Sequence, residues 1–369
     1  MRGTWLRVII AGLATVATIL AGLAVSGAFD ATPGAGEIPA GANQFMLVLA
    51  VGLVVGFVAY AMVEWLQTRR LDSIARQFST RTIVLMPIAI AINVVLGQTV
   101  GTALKLPVYL DSVGTILVGV LAGPLAGAAT GLLTNLAWTF LLAGTPFGSP
   151  FAWPFAIVAV EIGLLAGVFG YAGVFRSRPG TSPAGLGAGL LAALVVLGAL
   201  TWYGILPFYH GLCPGELSNG TAAGSPLCFQ LFTDGTIDPL FVVLGVVVAL
   251  VVALALVALV LRLARDRDLG VVYVLVAGAA CGVVSAFIAA PIAALVFGGV
   301  TGSGTDLLVA AFQQAGSDLQ QAVLQQSLIS DPIDKTVTYL IVFSILGAVS
   351  RRVAARFPQG ERALGTIED

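Results

Sequence analysis

Nine polar side chains stand in or at the ends of otherwise apolar runs: Asn93, Gln98, Tyr109, Asp111, Asn135, Trp138, Glu161, Asp334 and Lys335. Charged and amide groups in such runs are costly and usually face a cavity. Their types suit recognition rather than bond making. An indole or phenol ring can stack on a flat solute, while amides, carboxylates and an ammonium fix its orientation. Asp111, Asn135, Trp138, Glu161, Asp334 and Lys335 are the foremost candidates for substrate contact, with Asn93 and Tyr109 beside them. Lys105 is placed to attract an anionic solute at the mouth. Each also has a plainer reading. Asp334 and Lys335 can cap and anchor the last helix, and Asn93 and Asn135 can link helices by hydrogen bonds. Glu161, near the middle of its run, can bind substrate, pair with a donor or relay protons.

The elements that must carry these groups follow from composition. The chain has 369 residues, 58% hydrophobic and 9% charged. A soluble domain has about 25% charged residues, so this is a membrane protein. Apolar runs place spans near 6–28, 45–66, 82–98, 109–124, 126–143, 153–174, 185–206, 239–262, 271–298 and 334–350. The run 6–28 has a basic flank like that of a signal peptide, but its apolar core is too long for one. The expectation is an all-α, polytopic bundle of about ten transmembrane helices with both termini cytoplasmic. That orientation puts all fifteen arginines on the cytoplasmic side, as the positive-inside rule asks, and both lysines at outer ends of spans.

Four sections differ in character. Residues 1–80 hold two spans and a basic link. Residues 81–175 hold four closely spaced spans with most of the unusual polar groups. Residues 176–270 hold two plain spans around an outer loop, and residues 271–369 hold the last two spans and a cytoplasmic tail. Gly123, Gly127 and Gly131 recur every four residues, a spacing that lets helix backbones approach closely; packing of the spans on either side of Pro124 is the simplest use. The long outer loop 299–333 contains DLLVAAFQQAGSDLQQAVLQQSLI, whose apolar positions share one helical face. It reads as an interfacial helix or a lid. Cys213 and Cys228 share the other outer loop and can form a disulfide if the outside is oxidising. His210 and the Asn219 sequon lie in the same stretch. There is no Walker A motif, no dinucleotide fingerprint and no room for a cytoplasmic domain, so the chain cannot hydrolyse ATP itself. No cofactor and no nucleic-acid partner are expected, and no enzyme activity.

The string LPVYLDSVGTILVGVLAGPLAGAATGLLTNL, from Leu106, resembles the central motif of S components of energy-coupling factor (ECF) transporters. DPIDKTVTYLIVFSILGAVSRR, from Asp331, is similar to their last helix. The resemblance implies a six-helix core made of 82–98, 109–124, 126–143, 153–174, 271–298 and 334–350, with a ligand site open to the outside. Residues 1–80 and 176–270 would be two-helix additions. It further implies a plasma-membrane subunit that captures a small, vitamin-like, water-soluble nutrient for ATP-driven uptake. The partners would be an ECF transmembrane coupling subunit and ATPase subunits. Many S components dock through an alanine-xxx-alanine motif, whereas Ala89 and Ala91 here stand two apart. Two rival functions are a stand-alone proton-coupled carrier with Glu161 as relay, and a membrane sensor or scaffold without transport.

Overall fold

The computed structural model describes residues 2–26, 40–103, 108–145, 147–149, 152–178, 180, 182–212, 268–314 and 316–365. Among them all regular structure is helical. The long elements are α1 (Arg2–Ser26), α2 (Ala40–Thr68), α4 (Thr80–Gly97), α7 (Ala156–Tyr171), α8 (Pro183–Leu212), α9 (Gly270–Phe297) and α11 (Leu319–Ala348). Shorter ones are α3 (Asp72–Gln77), α5 (Val113–Ala122), α6 (Pro124–Leu136), α10 (Asp306–Gln314), α12 (Arg351–Ala354) and α13 (Gly360–Leu364). Five helical segments are long and apolar enough to cross a bilayer: Trp5–Ser26, Gln44–Thr68, Thr80–Gly101, Trp153–Tyr171 and Gly270–Phe297. The chain is a multi-pass membrane protein. The expected span 239–262 and the cysteine pair Cys213 and Cys228 lie outside the described residues, as does Lys105.

The helix α5 explains the odd composition of the stretch after Leu106. Ten residues rise about 15 Å, half of a bilayer core of about 30 Å. A helix that short can be used in a membrane only if other helices enclose it. All ten residues Val113–Ala122 are buried, among α4, α6, α7, α11 and α13. Gly123 then turns the chain with φ 127°, and Pro124 opens α6, where its missing N–H costs nothing.

The glycine stripe of α6 packs chiefly against α7 rather than α5. A Cβ at Gly127 would lie 2.6 Å from the carbonyl oxygen of Gly163, and one at Gly131 would strike the Ala159 backbone. Gly119 of α5 meets the same Gly163 carbonyl. Three helices therefore share one glycine-lined seam. A second seam, which sequence reading passed over, lies between α9 and α11. A Cβ at Gly278 would stand 2.7 Å from Cα of Thr336 and 3.0 Å from the Lys335 carbonyl oxygen. Gly282 faces Pro332 just as closely. This seam fixes where the polar end of α11 sits.

The apolar-faced helix expected within the loop 299–333 is present but divided between two elements. Residues 306–314 form α10, and α11 starts at Leu319, long before the expected boundary at 334. Asp318 is its N-cap, accepting from Gln321 N at 2.9 Å. Pro332 lies inside α11 without ending it. Asp334 and Lys335 are therefore mid-helix residues, and the reading of Asp334 as a helix cap is corrected. Tyr109 and Asp111 stand in an irregular segment before α5 instead of on a span.

The first two helices pair with each other, and α2 also touches α7 and α9. Their pairing holds a buried ion pair: Arg7 lies 3.1 Å from Glu64, which also accepts from the amide and hydroxyl of Ser73. The helix α8 packs on α9, α10 and α11.

Candidate functional site

Lys335 organises the polar end of α11. Its Nζ, with three protons, donates to Asp334 Oδ2 at 2.6 Å, Ser112 Oγ at 3.0 Å and Asp111 Oδ1 at 3.4 Å. The ammonium is thus fully satisfied by protein oxygens although Lys335 is only 4% exposed. Asp334 is completely buried and uses its other oxygen as a backbone clamp. Oδ1 accepts from the amides of Tyr109 at 2.9 Å and Leu110 at 2.8 Å. Leu110 has φ 51°, a left-handed conformation that a leucine adopts only at a cost of about 1–2 kcal/mol. One carboxylate therefore holds a strained turn against α11, more than 220 residues away in sequence. The turn in turn points Tyr109, whose hydroxyl pairs with Thr305 at 2.9 Å.

Beside this cluster is a cavity of about 130 Å³. Its wall draws on the turn before α5, on α6, α7, α9 and α11, and on the loop after α9. Tyr109, Asp111, Asn135, Trp138 and Lys335, all candidates from the sequence, line it. Trp138 is 7% exposed, and its indole N–H is buried without a hydrogen-bond partner among the described residues. It sits on a π-helical turn, Ala137–Leu141, and another such turn, Gln98–Ala103, lies across from it. Turns of this kind displace a side chain from the regular helix path and recur at functional sites. Gly97 makes room for the arrangement, since a Cβ there would meet Trp138 and lie 2.9 Å from Asp111 Cβ. Phe155, stacked on Phe297 at 5.6 Å, forms an apolar wall.

Three of the candidates do not line the cavity. Asn93 is enclosed between helices: its amide donates to Thr115 at 2.9 Å and Thr134 at 3.0 Å, and its oxygen accepts from Gly114 N at 2.7 Å. It ties α4 to α5 and α6. Asp334 stands behind Lys335. Glu161 is buried beside the wall; Ser285, which does line the cavity, donates to its Oε2 at 2.8 Å, and Oε1 has no partner among the described residues.

Residues not singled out in the sequence complete the wall. Asp331, Ser327 and Gln326 come from α11 and Ser112 from the turn. The loop TGSGTD contributes Thr301, Ser303, Thr305 and Asp306. Asp306 closes that loop on itself, accepting from the amides of Thr301 at 2.9 Å and Gly302 at 2.7 Å. The spacing Ser327, Asp331, Lys335 was a readable signal: steps of four put all three on one helical face. The expected boundary of the last span at 334 falls between Asp331 and Lys335 and so separates them. Among the described residues no cluster of His, Cys, Asp and Glu has the geometry of a metal site.

The family model for the substrate-specific component of ECF transporters matches residues 81–213. The matched segment runs from α4 through α8 and bears out the family resemblance drawn from the sequence. No curated protein and no solved structure matches the chain.

Proposed function

We propose that this chain, which carries the ECF substrate-specific segment over residues 81–213, captures a small water-soluble nutrient in the cavity beside Lys335. The family consists of transporter subunits that bind a substrate and work with membrane coupling and ATPase subunits. The finer reading is of a plasma-membrane protein, open to the outside at the cavity, with its arginine-bearing end cytoplasmic. Residues 1–80 and 176–270 are additions to the six-helix core. A coupling subunit and ATPase subunits supply the energy.

The observation that carries this reading is the buried, unpartnered indole N–H of Trp138 in the cavity wall. An unmet donor in a dry site costs about 1–3 kcal/mol, and a ligand acceptor would remove that cost. The charge balance narrows the ligand. Asp111, Asp331 and Asp334 stand around one described ammonium, Lys335, which the protein already satisfies. A flat ring with an acceptor toward Trp138 and a donor or cationic group toward Asp111 and Asp331 complements the wall.

The test is to identify the small molecule that copurifies in detergent and titrate it by calorimetry. Trp138→Phe should keep the ring contact and weaken binding about tenfold, the loss of one hydrogen bond of about 1.4 kcal/mol. Unchanged affinity in Trp138→Phe and Trp138→Ala alike rules the cavity out. The proton-coupled carrier has one observation in its favour, the unpartnered Oε1 of Glu161 next to the cavity-lining Ser285. Uptake by vesicles holding this chain alone, abolished by an uncoupler and by Glu161→Gln, would select it.

A further inference from the structure

A second cavity, of about 430 Å³, lies at the arginine-bearing end of the bundle, between the N-terminal helices and the core. Arg76 of α3 and Arg356 and Arg362 of the C-terminal segment line it, together with Trp5 of α1, Tyr171 of α7 and Gln359. No carboxylate is among its described lining residues. Three guanidiniums around one space repel one another unless an anion joins them.

Two further groups point the same way. Among the described residues the Tyr171 hydroxyl is buried without a partner, and so is Gln359 Oε1. The first can donate to an anion, and the second can only accept. The Tyr171 ring has two neighbours: the exposed Arg362 guanidinium covers it at 4.3 Å, and Trp5 meets it edge-on at 5.3 Å. Among the described residues, Arg76 spends only its Nε proton, on the Asp72 carbonyl at 3.1 Å. A ligand that fits must offer anionic oxygens to the arginines and the tyrosine, and a hydroxyl to Gln359. The rest of the wall includes apolar Val8, Val168 and Phe357, which suits an attached hydrocarbon.

We propose that this cavity binds a phosphodiester bearing hydroxyl groups. Guanidinium forks match phosphate oxygens bidentately, and basic pockets between membrane helices take anionic headgroups. A glycerol-type phospholipid headgroup and a free phosphodiester share this chemistry.

The experiment uses the full chain in detergent, native mass spectrometry, and dioctanoyl-phosphatidylglycerol as probe. The double variant Arg356→Gln/Arg362→Gln should bind the probe at least tenfold more weakly than the wild type. Arg70→Gln/Arg352→Gln removes the same charge elsewhere at that end and should change nothing. Phosphatidylcholine of equal chain length should not bind measurably. Competition by glycerophosphoglycerol at similar concentration assigns the site to soluble phosphodiesters; binding of the lipid without such competition assigns it to the headgroup of a membrane lipid. Equal probe binding by wild type and the double variant, or equal binding of the choline lipid, overturns the proposal. If the double variant fails to fold, Arg76→Gln decides alone: a fall of at least threefold supports the site and no change refutes it.

Discussion

The Asp334 carboxylate makes a sharp test of how the site is built. It accepts from two backbone amides and pairs with the ammonium of Lys335, all without solvent contact. Asp334→Ala removes all three interactions and leaves Lys335 with Ser112 and the partly exposed Asp111. Breaking a buried ion pair from one side costs about 3–5 kcal/mol. Two orphaned amides add about 1–3 kcal/mol each where they cannot reach water, but relaxation of the Leu110 turn returns about 1–2 kcal/mol of strain. The net loss should be about 3–10 kcal/mol. Asp334→Asn is the informative comparison. Its amide oxygen can still accept from Tyr109 and Leu110, so it should keep the backbone clamp and lose only the buried ion pair, about 3–5 kcal/mol. Thermal unfolding in detergent, followed by intrinsic tryptophan fluorescence, reads both variants. For a chain this long each kcal/mol moves Tm by about 2 °C, so the alanine variant should melt about 6–20 °C lower and the asparagine variant about 6–10 °C lower. Equal shifts in the two variants would mean that the backbone clamp contributes nothing. A shift below about 2 °C in Asp334→Ala would refute the whole account of the turn.

Two other predictions test the scaffold. Gly127→Leu should destabilise by about 3 kcal/mol or more, the upper end of overpacking, because its Cβ would enter the Gly163 backbone; folded yield by size exclusion should collapse, whereas Gly12→Leu, with open space around it, should be tolerated. Asn93→Ala should cost about 2–3 kcal/mol through the buried Gly114 amide and two lost side-chain bonds, measured by the same fluorescence melt. Ligand affinity should stay within twofold in calorimetry, since Asn93 does not line the cavity; a large loss of affinity with unchanged stability would reverse its assignment.

The pattern of what sequence could reveal follows from the range of each interaction. Helix α9 is expected at 271–298 and observed at Gly270–Phe297, and α4 is expected at 82–98 and observed at Thr80–Gly97. Apolar runs and caps are local, and they speak for themselves. Ser79, for example, accepts from Thr82 N at the start of α4. The polar residues were equally easy to find, because any amide or charge in such a run stands out. What each one does was not readable. Asn93 and Asn135 carry the same side chain at similar depth, yet the first is saturated by Thr115, Thr134 and Gly114, and the second faces a cavity. Asp334 and Asp331 differ by three positions on one helix, and only one clamps a turn. A buried polar group is structural when its lone pairs and protons are all used by the protein, and available to a ligand when some are not. That sum depends on partners hundreds of residues away, such as the Tyr109 amide for Asp334. It also depended here on an error of continuity. The expected boundary at 334 cut Ser327 and Asp331 from the helix that aligns them with Lys335. Pro332 nevertheless lies inside α11 without ending it, as a proline in a membrane helix can when neighbours meet the freed backbone groups. The site is therefore assembled by tertiary contact more than by motif.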